Sequence, residues 1–210
     1  MSEKSKYYRH SRPELIAEIT EAGRVLDLGC GAGMISSAIR EQCAPSEIWG
    51  VEVVPDVAEQ AVQNPDLDRV LCGDITNLID ELPDHFFSHI VAGDVLEHLV
   101  DPWGVVKALH NKLKPGGKFI CSVPNIRNFS FFLELLFRRR FEYRDSGVMD
   151  RTHLRFFTRK DVQLMFEEAG YIGIRVGPVR PKKNLHKRLA RALFGDLVVK
   201  GLLVTAFTET

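Results

Sequence analysis

Val25-Leu26-Asp27-Leu28-Gly29-Cys30-Gly31-Ala32-Gly33 opens with four residues, apolar but for Asp27, and stops in three alternating glycines. A short apolar run of this kind suits a strand covered on both faces. The glycines suit a tight turn in which another group approaches the backbone closely. The spacing predicts a helix from about Met34 to Gln42, then a second strand, Ile48–Val53. Pro55 to Gln63 reads as the next helix, with proline in its first turn. Arg69–Cys72 and His89–Ala92 read as strands three and four, ending at Gly73-Asp74 and Gly93-Asp94. A helix over Trp103–Leu113 closes at Lys114-Pro115-Gly116-Gly117, and Lys118–Val123 is a fifth strand stopped by Pro124. Thr158 suits an N-cap for a helix through Glu168, closed by Gly170. Ile172–Val176 and Leu202–Thr208 read as strands six and seven, and Pro13–Ala22 as a leading helix ended by Gly23. Strands alternating with helices predict an α/β, doubly wound, mostly parallel sheet. Two segments break the alternation, 125–157 and 180–200. We expect a single domain over 1–210, with 125–157 as a helical cap inserted on it.

The bulk numbers fit that expectation. The 210 residues suffice for a real core, and 45 % hydrophobic with 27 % charged residues is ordinary for a globular chain. Four cysteines (Cys30, Cys43, Cys72, Cys121) lack CxxC spacing, which argues against a disulfide framework or zinc ribbon and for a reducing, cytoplasmic setting. No apolar run approaches a membrane span, and no signal-peptide core opens the chain. The formal net charge of zero conceals an asymmetry. Residues 1–110 hold eight Lys+Arg against nineteen Asp+Glu, and residues 111–210 hold twenty against nine. Either the halves neutralise each other across the fold, or the basic half meets an anionic partner.

In open α/β sheets, ligands bind beyond the carboxyl ends of the strands, where the strand order reverses. The glycine loop feeds a helix N-terminus, which favours a carboxylate or phosphate. Glu52, about 20 residues on, stands where an acid accepts from ribose hydroxyls. The spacing here is G-x-G-x-G, whereas a nicotinamide dinucleotide fold wants G-x-G-x-x-G. With Gly73-Asp74-Ile75, with Ala92-Gly93-Asp94-Val95-Leu96-Glu97-His98 and with Leu113-Lys114-Pro115-Gly116-Gly117, the first stretch resembles the ordered motifs of class I S-adenosylmethionine-dependent methyltransferases, from about Tyr8 to Thr208. The resemblance implies a seven-stranded sheet with the last strand antiparallel, and S-adenosylmethionine as cofactor. It implies that Gly29, Cys30, Gly31 and Gly33 pass close to the methionine portion and that Asp27 helps hold its ammonium, directly or through water. It further implies that Glu52 takes the ribose, Val53 packs on the adenine, and Asp74 with Ile75 meets the adenine edge. Asp94 and Val95 then line the path to the sulfonium. Tyr7-Tyr8-Arg9-His10 falls where relatives fold a segment over the cofactor.

The acceptor is less legible. No [DNS]-P-P-[YFW] follows the fourth strand and no Pro-Cys dipeptide occurs, which disfavours amino methylation through that motif and cytosine C5 chemistry. Asp150-Arg151-Thr152-His153-Leu154-Arg155-Phe156-Phe157-Thr158 resembles a small-molecule branch tied to glycan and secondary-metabolite pathways, distantly similar to ubiquinone-biosynthesis O-methyltransferases. That implies methyl transfer to a hydroxyl of a sugar or glycan precursor or related metabolite. A hydroxyl must lose its proton, and histidine is the natural base. His153 is the first candidate and His98 the second, with Asp150 orienting His153 or touching the acceptor. The alternative for His153 is a structural histidine that pins the cap to the sheet. Phe129–Phe141 is apolar and then basic, and reads as a lid, an interfacial helix at the inner face of a membrane, or a dimer contact. With the basic stretch 180–191 it favours a phosphate-, nucleotide- or lipid-linked acceptor. An RNA methyltransferase, a catalytically silent cofactor-binding subunit and a nicotinamide oxidoreductase are the competing readings, though no RNA-binding module is evident. The histidines lack metal-ligand spacing, so no metal is expected.

Overall fold

The computed structural model describes residues 12–20, 23–179 and 192–210. In chain order the elements are α1 (Pro13–Ile16), β1 (Arg24–Leu28), α2 (Met34–Cys43), β2 (Glu47–Glu52), α3 (Pro55–Val62), β3 (Arg69–Cys72) and α4 (Ile75–Leu78). Then come β4 (Phe87–Gly93), α5 (Pro102–His110), β5 (Leu113–Pro124), α6 (Phe129–Arg138), α7 (Arg159–Glu168), β6 (Ile172–Pro178) and β7 (Gly201–Phe207). The seven strands form one sheet in the order β3-β2-β1-β4-β5-β7-β6, with β7 antiparallel to both its neighbours. The strand order reverses at β1, which lies between β2 and β4.

Helices cover both faces, so alternate residues of each central strand enter different cores. Leu26, Leu28, Ile90, Ala92, Phe119 and Cys121 face one side, with Val105, Leu109, Val162 and Phe166 of α5 and α7 against them. Val25, Val91 and Ile120 face the other, under Leu15, Ile16 and Ile39. Thr158 caps α7 with a capping box, its hydroxyl accepting from the Asp161 amide while the Asp161 carboxylate accepts from the Thr158 amide.

Two helices stop earlier than the sequence pattern predicts. α1 ends at Ile16 and not at Ala22. Lys118 Nζ donates to the Glu18 carbonyl at 2.6 Å and to its carboxylate at 3.0 Å, which draws the chain out of helical geometry. α5 ends at His110 and not at Leu113, because the Lys112 carbonyl accepts from the Phe86 and Phe87 amides and Leu113 already pairs with Phe87. The stretches 7–10 and 180–191, singled out above, lie outside the described residues.

The segment between β5 and α7 leaves from the carboxyl end of β5. Asn125, fully buried, donates to the carbonyls of Asp196 and Val199 at 2.8 Å each. The Ile126 amide donates to Phe157 O, which ties the two ends of the segment together. α6 buries none of its residues, and Phe132, Leu136 and Phe137 stand exposed. Among the described residues no helix is long and apolar enough to cross a membrane.

Candidate active site

The glycine loop follows β1 at the point of strand reversal. Val51 O accepts from the Gly29 and Cys30 amides at 2.8 and 3.0 Å, which folds the loop back over β2. Gly29, Gly31 and Gly33 sit at φ +70°, +56° and +87°, where a side chain is strained. A Cβ on Gly29 would meet Val95 Cγ2 at 2.5 Å, and one on Gly33 would meet Asn64 Nδ2 at 2.4 Å. Glu52, nearly buried, locks the loop: Oε2 accepts from the Gly31 amide and Oε1 from the Val54 amide, both at 2.9 Å. Gly33 is the N-cap of α2, and no side chain caps that helix end.

Asp27 lies beneath the loop with no exposed surface. Its Oδ2 accepts from Ser36 Oγ at 2.6 Å, while Oδ1 is buried without a hydrogen-bond partner. Burial pushes its carboxyl up to about 7 against the pull of Ser36. Val53 presents an apolar surface, 59 % exposed, just beyond Glu52. Asp74 is exposed and caps α4, accepting from the Thr76 amide at 2.8 Å. The side chains of Cys30 and Ile75 enter the two cores, so only their backbones face the loop side.

Asp94 closes β4 at φ +57°, a left-handed conformation rare outside glycine. Its backbone and carboxylate are both held. Ser122 Oγ lies 3.1 Å from the Asp94 amide and 2.7 Å from Oδ1, and Arg12 forms an ion pair with the carboxylate. Arg12 also donates to Ser122 Oγ at 2.5 Å and to Glu14 at 2.8 Å. Arg12 and Ser122 carried no signal in the sequence, since 82 and 28 residues separate them from Asp94.

Past Asp94, Glu97 is completely buried and neither carboxylate oxygen has a hydrogen-bond partner. Burial pushes its carboxyl well above the usual range, helped by Asp94. Its carbonyl accepts from the Leu154 and Arg155 amides at 2.8 and 3.0 Å, so the cap segment is stitched onto this turn. His153 thereby comes to rest with Nε2 3.9 Å from Glu97 Oε1. Its Nδ1 lies 3.0 Å from Val148 O, and Nδ1 of His98 lies 3.1 Å from Thr152 O. A carbonyl only accepts, so both rings carry a hydrogen on Nδ1, and in the neutral ring Nε2 is the nitrogen with the free lone pair. The two rings meet edge to face, centroids 4.8 Å apart. His98 is the more open, and burial followed by His153 depresses its pKa. Asp150 accepts from the Thr152 amide and hydroxyl at 2.9 and 2.6 Å; Val148 O, not Asp150, orients the His153 ring.

Residues 2–175 match the family model described as a methyltransferase domain. Over 118 residues the chain is 36 % identical to a ubiquinone biosynthesis O-methyltransferase of Idiomarina loihiensis, covering 52 % of this chain and 45 % of that protein. Over 176 residues it is 27 % identical to a demethylmenaquinone methyltransferase of a Geobacillus species, covering 75 % of this chain and 74 % of that one. The chain therefore spans less than half the length of the first relative and about three quarters of the second. Among solved structures, a SAM-dependent methyltransferase from Archaeoglobus fulgidus superposes with TM-score 0.69 at 16 % identity, covering 98 % of each chain. A Haemonchus contortus phosphoethanolamine N-methyltransferase in complex with S-adenosyl-L-methionine gives 0.65 at 13 % identity, over 95 % of this chain and 52 % of that one. At these identities the likeness is one of fold.

Proposed function

The chain belongs to the methyltransferase-domain family, and on that premise we propose that it transfers a methyl group from S-adenosylmethionine to an oxygen of a small-molecule acceptor. The residues at the β1 and β4 ends fit that cofactor. The observation that carries this reading is Asp27 Oδ1, a buried oxygen without a partner beside a glycine loop. A buried carboxylate in that condition is costly, and an ammonium group satisfies both its charge and its lone pairs. Glu52 spends one lone pair on each side in holding the loop and keeps others for a ribose diol. Val53 offers the adenine an apolar surface, Asp74 its carboxylate, and Asp94 with Val95 the wall of the path to the sulfur.

S-adenosylmethionine, when bound, supplies a methyl group on a positively charged sulfur that leaves as a neutral thioether. The chain's own work is to position the acceptor and remove its proton. We place the acceptor oxygen at the Glu97-His98-His153 cluster, where one donor atom from each residue lies within 4.8 Å of the other two. The names of the ubiquinone and menaquinone relatives support a small metabolite as acceptor. α6, with its exposed apolar face, is the wall that receives the acceptor, and the arginines at its end and in the segment after it, Arg138, Arg140 and Arg151, though paired with Glu134, Glu142 and Asp145, are exposed enough to turn to an anionic one. Phosphate- and nucleotide-linked sugars are therefore the first acceptors to test.

Isothermal titration with S-adenosylhomocysteine, NAD and NADP tests the cofactor. Micromolar binding of the first alone supports the reading, and preference for a dinucleotide overturns it. With an acceptor in hand, His98→Ala and His153→Ala should each lower kcat by 10²–10⁴-fold, the usual weight of acid–base catalysis. Cofactor affinity should stay within about twofold. Unchanged turnover would remove the residue from the catalytic machinery, and saturable cofactor binding with no turnover on any acceptor would favour a silent subunit.

A further inference from the structure

We propose that Glu97, His98 and His153 form a binding site for one divalent transition-metal cation, with Zn²⁺, Mn²⁺ or Co²⁺ as the fitting class. One donor atom from each residue lies within 4.8 Å of the other two. Glu97 Oε1 and His153 Nε2 stand 3.9 Å apart. That distance is too long for a hydrogen bond. Two donors that each stand about 2 Å from a shared ion lie roughly 3–4 Å apart, so this pair already has the required separation. The widest gap in the cluster needs a closure of about 1 Å to reach it.

Three further observations point to a cation. Glu97 has no exposed surface, and both its oxygens lack a hydrogen-bond partner. An isolated buried carboxylate is strongly disfavoured unless paired or bound to a metal. Both histidines give their Nδ1 proton to a backbone carbonyl, of Val148 and Thr152. Metal-ligating histidines are held in that way, since the second hydrogen bond fixes the tautomer and turns Nε2 toward the ion. Asp94 and Asp150 add negative potential at Glu97, opposed in part by Arg12. Two imidazoles and one carboxylate leave coordination positions open.

The inference draws on the preceding subsection only for what the ion does with the acceptor. A cation held there would supply Lewis acidity to the acceptor hydroxyl, whose proton would pass to water. The acceptor oxygen's lone pair then forms the new O–CH₃ bond, and the electrons of the broken S–CH₃ bond go to sulfur. With the ion bound, the two histidines would be its ligands in place of the base role given to them above, and the loss of kcat expected for His98→Ala and His153→Ala is the same under either role.

Binding is read without cofactor or acceptor. The full chain, stripped with chelator, is titrated with Co²⁺ while the visible d–d absorption is followed, and with Zn²⁺ by equilibrium dialysis. The expected result is one ion per chain, competition between the two, and a rise in Tm with Zn²⁺. Glu97→Gln keeps the shape of the side chain and should lower Co²⁺ affinity at least tenfold, as should His98→Ala at the more open ligand. A Leu164→Ala control, at an exposed position of α7, should bind as the parent does. Absence of a stoichiometric site, or equal binding by parent and Glu97→Gln, overturns the proposal. Lost cation binding with intact S-adenosylhomocysteine binding leaves the cofactor reading standing, so the two are separable.

Discussion

Asp27 concentrates the chemistry of the loop in one carboxyl. Burial raises its folded-state value to about 7 from an ordinary 3.8. A raised value favours the protonated fold, so its stabilising contribution is complete below about pH 4 and is lost as pH rises through 7. Asp27→Asn stays neutral at all pH. In the cofactor-free protein we expect that variant to be more stable than the parent at pH 8, by up to about 4 kcal/mol at 1.36 kcal/mol per unit. Urea titrations at pH 3.5, 5 and 8 check this, with the gap between variant and parent expected to widen by about 1.5 kcal/mol from pH 3.5 to pH 5 and further by pH 8. The parent should bind S-adenosylhomocysteine more weakly at pH 6 than at pH 8, because the ammonium needs the ionised carboxylate. The variant should bind weakly at both. Gly29 makes a second prediction. Gly29→Ala should destabilise by about 2 kcal/mol or more through overpacking and positive φ, and Val95→Ala should recover part of that in a double-mutant cycle. These positions were legible because the glycines and acids lie at strand ends a few residues apart. Arg12 was not, since nothing in the sequence near it announces a partner 82 residues away.

At the scale of elements, the sequence signals that worked were local. The Thr158 cap sat three residues before Asp161, and the structure realises it as a reciprocal box. Thr158→Ala should cost about 1 kcal/mol in denaturant unfolding without altering the slope. The signals that failed concerned helix ends fixed by distant groups: Lys118 claims the Glu18 carbonyl, and Phe86 and Phe87 claim that of Lys112. α6 behaves differently from the other helices. With nothing buried, Phe137→Ser should leave stability within about 0.5 kcal/mol of the parent, as surface substitutions do. An effect on the acceptor's KM with unchanged Tm would place α6 at the acceptor. The meeting of His153 with Glu97 was illegible for a topological reason. It depends on two amides of the cap, Leu154 and Arg155, docking on one carbonyl 57 and 58 residues earlier.

Across the whole molecule, strand count and order of strands along the chain were legible because each strand is a short apolar run between turn residues, and the antiparallel seventh came from the family resemblance. The lateral order was not read from the sequence, since no local pattern says that β7 enters between β5 and β6. That insertion sets an order of assembly. β5 pairs with β7 across seven positions, Lys118–Phe207 to Pro124–Gly201, and β6 reaches the sheet only through β7. On a ribosome the amino-terminal part of a chain emerges first. The strands from β1 to β5 can therefore align while β6 still has no edge to join. β6 must wait for β7, so the carboxyl-terminal side of the sheet joins only after β7 has been made. A nascent chain halted between β6 and β7 should leave β5 as an open edge, the kind of surface chaperones shield and neighbouring chains pair with. The antiparallel strand thus makes its own emergence the condition for covering the edge of β5 and for seating β6.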